Sequence, residues 1–145
     1  MSTVEVPKTL LEVGEYFGVG FQPVLDFSGW RVAMKRYADS THPAKFHSVD
    51  RHNETNEVFI LTEGKAEMLL MDGDAKPTDF HLFPMKLNVA YSIQQRAWHH
   101  VFMSEDAHIL VFERSNTSRE NSDHFELDAD TIAAIRARVR LDIGL

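Results

Sequence analysis

Short apolar runs separated by turn residues recur along most of the 145-residue chain, and this rhythm limits the possible folds more than any other feature. Ser28-Gly29 and Asp72-Gly73 are typical turn signals between such runs. Eight or more short strands at spacings of about 8 to 12 residues are typical of an antiparallel sandwich or small barrel. The sequence therefore predicts an all-β fold with strands at residues 21–27, 30–37, 57–63, 65–71, 80–83, 88–93, 97–103 and 108–113.

Two helical stretches are predicted around this β-rich core. The first is a short N-terminal segment from Thr9 to about Phe17, which Gly14 interrupts. The second runs from Asp130 to about Arg140, and Asp128 or Asp130 can cap its first turn. Apolar residues of this second stretch recur at three- and four-residue steps on one face, namely Ile132, Ile135 and Val139. That face is expected to pack against the strands.

A polar segment, ERSNTSRENSDHFELD, joins the last predicted strand to the C-terminal helix. It is longer than most connections without regular structure, so it either packs along the surface through Phe125 and Leu127 or reaches a neighbouring subunit. Surface packing is the simpler interpretation. Because the chain has no internal repeat and no linker rich in Pro, Gly or Ser, residues 1–145 are interpreted as a single domain. Its core covers about 21–113, and an extension with a helix covers 114–145.

Composition excludes several classes of protein. No apolar run approaches the ~18 residues that a membrane-spanning helix needs. Cysteine is absent, which excludes disulfide scaffolds, thiolate metal sites and cysteine nucleophiles. The first residues, MSTVEVPKTL, lack the apolar block of a secretory signal, so we expect a cytoplasmic protein. A net charge of -7 repels phosphate backbones, so we expect no nucleic-acid partner.

Histidines and carboxylates are concentrated in one part of the chain. Asp50 and His52 are two positions apart, so on a strand their side chains share one face. Glu57 follows five positions after His52, which would place it on the opposite face of an unbroken strand. The turn-rich residues 53–56 can reset the alternation, however. A carboxylate and an imidazole from adjacent strands can then meet inside the fold.

His99 and His100 lie on a later predicted strand, where neighbouring side chains point to opposite faces. At most one of them can therefore join His52 and Glu57. The pattern alone does not choose between them, because His99 shares its face with apolar residues and His100 shares its face with aromatic ones. Two imidazoles and one carboxylate form a donor set that suits Fe(II) and related divalent ions and leaves positions open for water or substrate.

These residues resemble the two motifs of the cupin superfamily. The segment DRHNETNEVFILTEG is similar to the first motif, with Asp50 in the place of its first histidine, followed by His52, Glu57 and a closing glycine. The segment QQRAWHH is similar to the second motif and supplies His99, while residues 95–97 replace its usual glycines and proline. The resemblance implies a cupin-type double-stranded β-helix, or jelly-roll barrel, that is usually dimeric and holds a metal on His52, Glu57 and His99.

The number of metal ligands stays open at this level. Asp50 would make a four-ligand site of mixed type, or the site would have three ligands only, and His47 and His100 are the spare candidates. The element Trp98-His99-His100 is also similar to one found in ureidoglycolate lyases, a family of cupin type.

Two functions are compatible with such a site. In the first, a divalent ion (Fe, Mn, Zn or Ni) polarises an oxygen of a small polar metabolite in a lyase, isomerase or dioxygenase reaction. In the second, the protein has lost its metal and binds a small molecule without turnover. In both cases the resemblance implies a homodimer.

Overall fold

The computed structural model describes residues 5–141, in which ten β-strands form two antiparallel five-stranded sheets and one α-helix follows the last strand. The bounds are Phe21–Phe27 (β1), Trp30–Arg36 (β2), Ser48–His52 (β3), Glu57–Glu63 (β4), Ala66–Met71 (β5), Phe80–Pro84 (β6), Ala90–Ile93 (β7), Trp98–Met103 (β8), His108–Arg114 (β9), Ser122–Glu126 (β10) and Ala129–Arg138 (α1). The predicted all-β class is confirmed. No helix within these residues is long and apolar enough to cross a bilayer.

The strand order in each sheet is consistent with a jelly roll. Sheet A has the order β1-β2-β9-β4-β7, and sheet B has the order β10-β3-β8-β5-β6. Most strands that are adjacent in a sheet are distant in the sequence, because the chain crosses repeatedly from one sheet to the other. The short turn between β3 and β4 is one of these crossings. It places the two halves of the first motif on different sheets.

The main core lies between the two sheets. Side chains alternate along each strand, so every second residue of β9 faces inward, and Ile109 and Val111 are fully buried there. Phe59 and Leu61 from sheet A and Met68 from sheet B pack into the same cluster. On β2 and β3 the inward-facing residues are mostly polar, and the candidate metal and ligand site lies there.

A second apolar cluster covers the outer face of sheet B. Phe46 and Phe102 are buried in this cluster, together with Ile135 of α1. Asp128 caps α1, because its Oδ1 accepts a hydrogen bond from the Thr131 N–H at 2.7 Å. The predicted C-terminal helix is therefore confirmed, with an apolar face formed by Ile132, Ile135 and Val139.

The N-terminal helix predicted over residues 9–17 is wrong. One hydrogen-bonded turn closes at the Pro7 carbonyl, and residues 11–17 then have no regular secondary structure. The reason is contact with β1, since a Cβ at Gly14 would lie 2.8 Å from the Cβ of Val24. The segment runs so close to β1 that a side chain at this glycine has no room.

The polar segment after β9 contains a strand that is not predicted from the sequence. Strand β10 pairs antiparallel with β3, and Ser122 lies opposite His52. Phe125 and Leu127 pack against the outer apolar cluster, as the surface-packing interpretation expects. The segment therefore extends sheet B beyond β3 and adds side chains next to the first motif.

Candidate metal and ligand site

Two histidines and one glutamate meet between the sheets and form a triad. His52 is the last residue of β3, Glu57 is the first of β4, and His99 is the second of β8. The potential ligand atoms of all three lie within 4.8 Å of one another. Asp50 is the β3 residue opposite His99 in sheet B, so the two imidazoles lie on neighbouring strands. Residues 53–56 carry the chain to sheet A, which produces the change of face that the spacing predicts.

In each histidine of the triad, Nδ1 contacts a partner outside the triad and Nε2 points to Glu57. The His99 Nδ1–H donates to the Ala97 carbonyl at 3.0 Å, because a carbonyl oxygen only accepts. His52 Nδ1 contacts Ser122 Oγ at 2.8 Å. The Nε2 atoms of His99 and His52 lie 3.0 and 3.4 Å from Glu57 Oε1. That oxygen is buried without a hydrogen bond of suitable geometry among residues 5–141. This donor set fits a divalent cation.

Burial and charge shift the pKa values of Glu57 and His99 in opposite directions. Burial alone would raise the pKa of Glu57, but the neighbouring His52 and His99 lower it well below the ordinary value of 4.5. Burial alone would lower the pKa of His99, but the Glu57 carboxylate raises it above the ordinary value of 6.5. A proton on His99 can therefore balance the charge of Glu57 when no metal is bound. A metal ion must displace that proton, so metal binding strengthens as pH rises.

A buried ion pair lies beside the triad. Arg31 on β2 is opposite Glu113 on β9 and donates to Glu113 Oε2 through Nε at 2.9 Å and Nη2 at 2.5 Å. Only 1% of the Glu113 side chain is exposed. Burial and the nearby Glu57 carboxylate raise the pKa of Glu113 to about 7, against the opposing effect of Arg31. Neither residue is identified from the sequence, although the inward alternation along β9 could have pointed to Glu113.

The triad forms part of the wall of a cavity of about 730 Å³. Sites for small molecules typically have volumes of roughly 300–1,000 Å³. Both sheets line the cavity, and its apolar walls include Phe21, Phe59 and Val101. The polar groups of the lining include Arg31, Lys35, Asp50, Glu113 and Asp123. The cavity therefore has the volume and the mixed surface that a small polar molecule needs.

Asp50, the candidate fourth ligand, and the spare candidate His47 lie outside the triad. Asp50 lines the same cavity, but its Oδ1 contacts His124 Nδ1 at 2.7 Å, and Asp50 does not belong to the cluster of ligand atoms. Its role as a fourth ligand stays a prediction. His47 is an exposed residue before β3, and its Nδ1 contacts Glu126 Oε2 at 2.6 Å.

His100, the other spare candidate, points to the face of β8 opposite His99. Its Nε2–H donates to the Ser40 carbonyl at 2.9 Å, and its ring centroid lies 5.2 Å from those of both Phe46 and Phe102. Burial, with a contribution from the positive charge of Lys35, lowers the pKa of His100 to about 3. This packing assigns His99, and not His100, to the triad.

The turn before His99 keeps its shape without the usual glycines. Arg96 has a φ of 69°, in the left-handed region that favours glycine. Its backbone N–H donates to the His52 carbonyl at 2.8 Å, and its guanidinium donates to Asn53 Oδ1 at 3.0 Å and Asp74 Oδ1 at 2.8 Å. These contacts tie the turn to the end of β3, so the position of His99 relative to His52 is fixed.

Known proteins resemble the chain in structure. No protein-family model and no curated protein matches it. A cupin-2 domain-containing protein from Halorhodospira halophila is 17% identical with a TM-score of 0.55, and the match covers 86% of this chain and 85% of that chain. A cupin-2 domain-containing protein from Shewanella frigidimarina is 18% identical with a TM-score of 0.50, over 68% of this chain and 84% of that chain.

A third similar structure is that of Pac13, a nucleoside dehydratase. The Streptomyces Pac13 structure with uridine is 10% identical with a TM-score of 0.57, and the match covers 90% of this chain and 97% of that chain. At these identities the likeness concerns the fold. Together with the two jelly-roll sheets, it shows that the chain has the cupin fold, the class that its motifs resemble.

Proposed function

We propose that this cupin-fold protein binds a divalent metal ion on His52, Glu57 and His99 and a small polar metabolite in the adjoining cavity. The ion would be Fe, Mn, Zn or Ni, because two imidazoles and one carboxylate suit these metals and leave positions open for an oxygen ligand. One observation carries the proposal. The buried Glu57 Oε1 has two imidazole Nε2 atoms within 3.4 Å and no hydrogen bond of suitable geometry among residues 5–141.

The side chains around the triad support a lyase, isomerase or dioxygenase reaction. A divalent ion would supply Lewis acidity toward a carbonyl, carboxylate or enediol oxygen. Glu57 reduces the positive charge of the site, and His52 and His99 orient its open face. Glu113 has a pKa of about 7, so it can hold or release a proton near neutral pH. Arg31 fixes the position of that carboxyl group through two hydrogen bonds.

The second candidate function is a metal-free protein that binds a small molecule without turnover. The observation in its favour is the distance of 3.0 Å between His99 Nε2 and Glu57 Oε1, because a proton on His99 can balance the carboxylate without a metal. The uridine found with Pac13 supports a small polar ligand for this fold under either candidate.

Metal analysis separates the two candidates. Untagged protein, purified without chelators, is compared with His52→Ala and His99→Ala by elemental mass spectrometry. His81→Ala is the matched control, because His81 is exposed and contacts Asp72 at 2.8 Å away from the cavity. We expect stoichiometric metal in the parent and in the control, and loss of metal in the two triad variants. A parent without metal, with both triad variants folded as before, would favour the metal-free candidate.

We further propose that the protein is a homodimer. Strand β1 lies at the edge of sheet A, where unpaired backbone groups can accept a partner strand. Large apolar side chains are exposed on or near this edge, including Phe17, Phe27 and Trp30. Light scattering coupled to gel filtration should give about twice the chain mass of 16.6 kDa, and Phe27→Glu with Trp30→Glu should halve it. A parent that elutes with the mass of one chain contradicts this proposal.

A further inference from the structure

Lys35 brings a positively charged side chain to the cavity from sheet A. It lies on β2 two residues after the fully buried Ala33, so it belongs to the inward face of that strand. Its cross-strand neighbours are Phe21 on β1 and Ile109 on β9. Lys35 and Phe21 line the same cavity as the triad. The ammonium group is therefore available to a molecule that occupies this space.

The acidic side chains of the cavity already have partners, whereas Lys35 has none. The four carboxylates of the lining each contact a cation or an imidazole: Glu113 with Arg31, Asp50 with His124, Asp123 with Arg51, and Glu57 with His52 and His99. Within residues 5–141, Lys35 forms no side-chain hydrogen bond and no ion pair within 4.0 Å. A partly buried ammonium without a partner is unfavourable, and an anionic ligand would remove that cost.

A divalent ion at the triad leaves the cavity with an excess of positive charge. The ion displaces the His99 proton, so the two histidine ligands are then neutral. Together with the three cationic side chains of the lining, Arg31, Lys35 and Arg119, the ion carries one positive charge more than the four carboxylates balance. A negatively charged ligand reduces this excess.

We propose that the ligand is a small carboxylic acid whose carboxylate is bound by Lys35 while another oxygen of the molecule faces the triad. This inference rests on the proposed metal-dependent function and names its ligand class. A carboxylate matches one unpaired ammonium, whereas a phosphoryl group usually needs a glycine-rich loop or further donors. Burial lowers the pKa of Lys35, and the carboxylates of Glu57, Asp50 and Glu113 oppose this effect. An anion beside the amine adds to that opposition and favours the ammonium form.

Calorimetric titration of matched ligands on matched variants tests the inference. Pyruvate, lactate and succinate, and the primary amide of each, are titrated into Mn²⁺-loaded parent, Lys35→Met and Lys65→Met protein. Lys65 follows Gly64 in an exposed turn outside the cavity, so this control makes the same charge change elsewhere. Metal content and thermal unfolding are measured on each variant. Lys35→Arg keeps the charge and serves as the conservative variant.

We expect at least one acid to bind the parent and Lys65→Met, and its affinity to fall roughly 10- to 100-fold in Lys35→Met. Binding of the amides should be weak and equal in all three proteins, and Lys35→Arg should recover part of the affinity. The inference is overturned if Lys35→Met binds the acids as tightly as the parent, if acid and amide bind equally, or if no acid binds. Titrations of EDTA-treated protein distinguish the two proposals, since Lys35-dependent acid binding by a protein that takes up no metal overturns the metal site alone.

Discussion

A substitution at His100 tests whether strand alternation gives two adjacent histidines, His99 and His100, different pKa values. Burial lowers the pKa of His100 to about 3, whereas the carboxylate of Glu57 raises the pKa of His99. The substitution His100→Gln removes the titrating ring and keeps a side-chain donor for the Ser40 carbonyl. We predict that this variant loses less stability than the parent when the pH is lowered from 7 to 5.

The size of the effect follows from the pKa of His100 in the two states. The ring titrates near 6.5 in the unfolded chain and near 3 in the folded protein. Between these pH values the unfolded state binds more protons, so the stability present above pH 6.5 is lost as pH falls toward 3. The two values predict a loss of about 2 kcal/mol between pH 7 and pH 5. Partial exposure of the ring reduces the expected loss to between about 1 and 2 kcal/mol.

Urea unfolding at pH 5, 6 and 7 measures this difference. Both proteins are treated with EDTA, because metal binding to the triad would add its own pH dependence. The parent should lose about 1–2 kcal/mol more than His100→Gln between pH 7 and pH 5. His81→Gln, a substitution of an exposed histidine, should behave as the parent does. Equal pH dependence in the parent and His100→Gln would refute the burial of a neutral His100 on the outer face of β8.

Three further predictions concern the buried glutamate, a turn and the helix. In metal-free protein, the free energy of unfolding of Glu113→Gln relative to the parent should be about 2 kcal/mol higher at pH 8 than at pH 5, as measured by urea unfolding. The reason is that the raised pKa of Glu113 makes the parent lose stability as pH rises from 4.5 through about 7. A difference between the two proteins that does not change with pH contradicts that pKa. Gly64→Ala should lower the free energy of unfolding by about 1–3 kcal/mol more than Gly29→Ala. Both glycines have positive φ, but only at Gly64 would a Cβ lie 2.7 Å from the Ala107 nitrogen, so equal losses contradict the clash. Ile135→Ala should cost about 2–4 kcal/mol in denaturant unfolding, since this residue is fully buried, and a loss below about 1 kcal/mol contradicts the docking of α1.

The strands are the part of the fold that the sequence predicts best. The run at residues 57–63 has the same bounds as strand β4, because an apolar stretch between turn residues is a local signal. Strand β10 is different, since its residues SDHFE are mostly polar and pair only with β3 at the edge of sheet B. The false helix at residues 9–17 has an equally physical origin, because contact with β1 determines the path of that segment.

The residues of the candidate site also differ in whether a local sequence pattern or only the folded structure identifies them. His52 and Glu57 are close in sequence, so their motif can be identified without a structure. The choice of His99 over His100 depends on which face of β8 points to the interior. The pair Arg31 and Glu113 depends on the register of β2 with β9, which brings together two residues that are 82 positions apart, and no local pattern reports that register.

The proposed metal site is tested most directly by the anomalous scattering of a crystal grown with Mn²⁺. We predict one strong peak between the sheets, at about 2.0–2.3 Å from the Nε2 atoms of His52 and His99 and from a carboxylate oxygen of Glu57. Absence of a peak at the triad, or a peak only at the exposed histidines near Glu126, would contradict it.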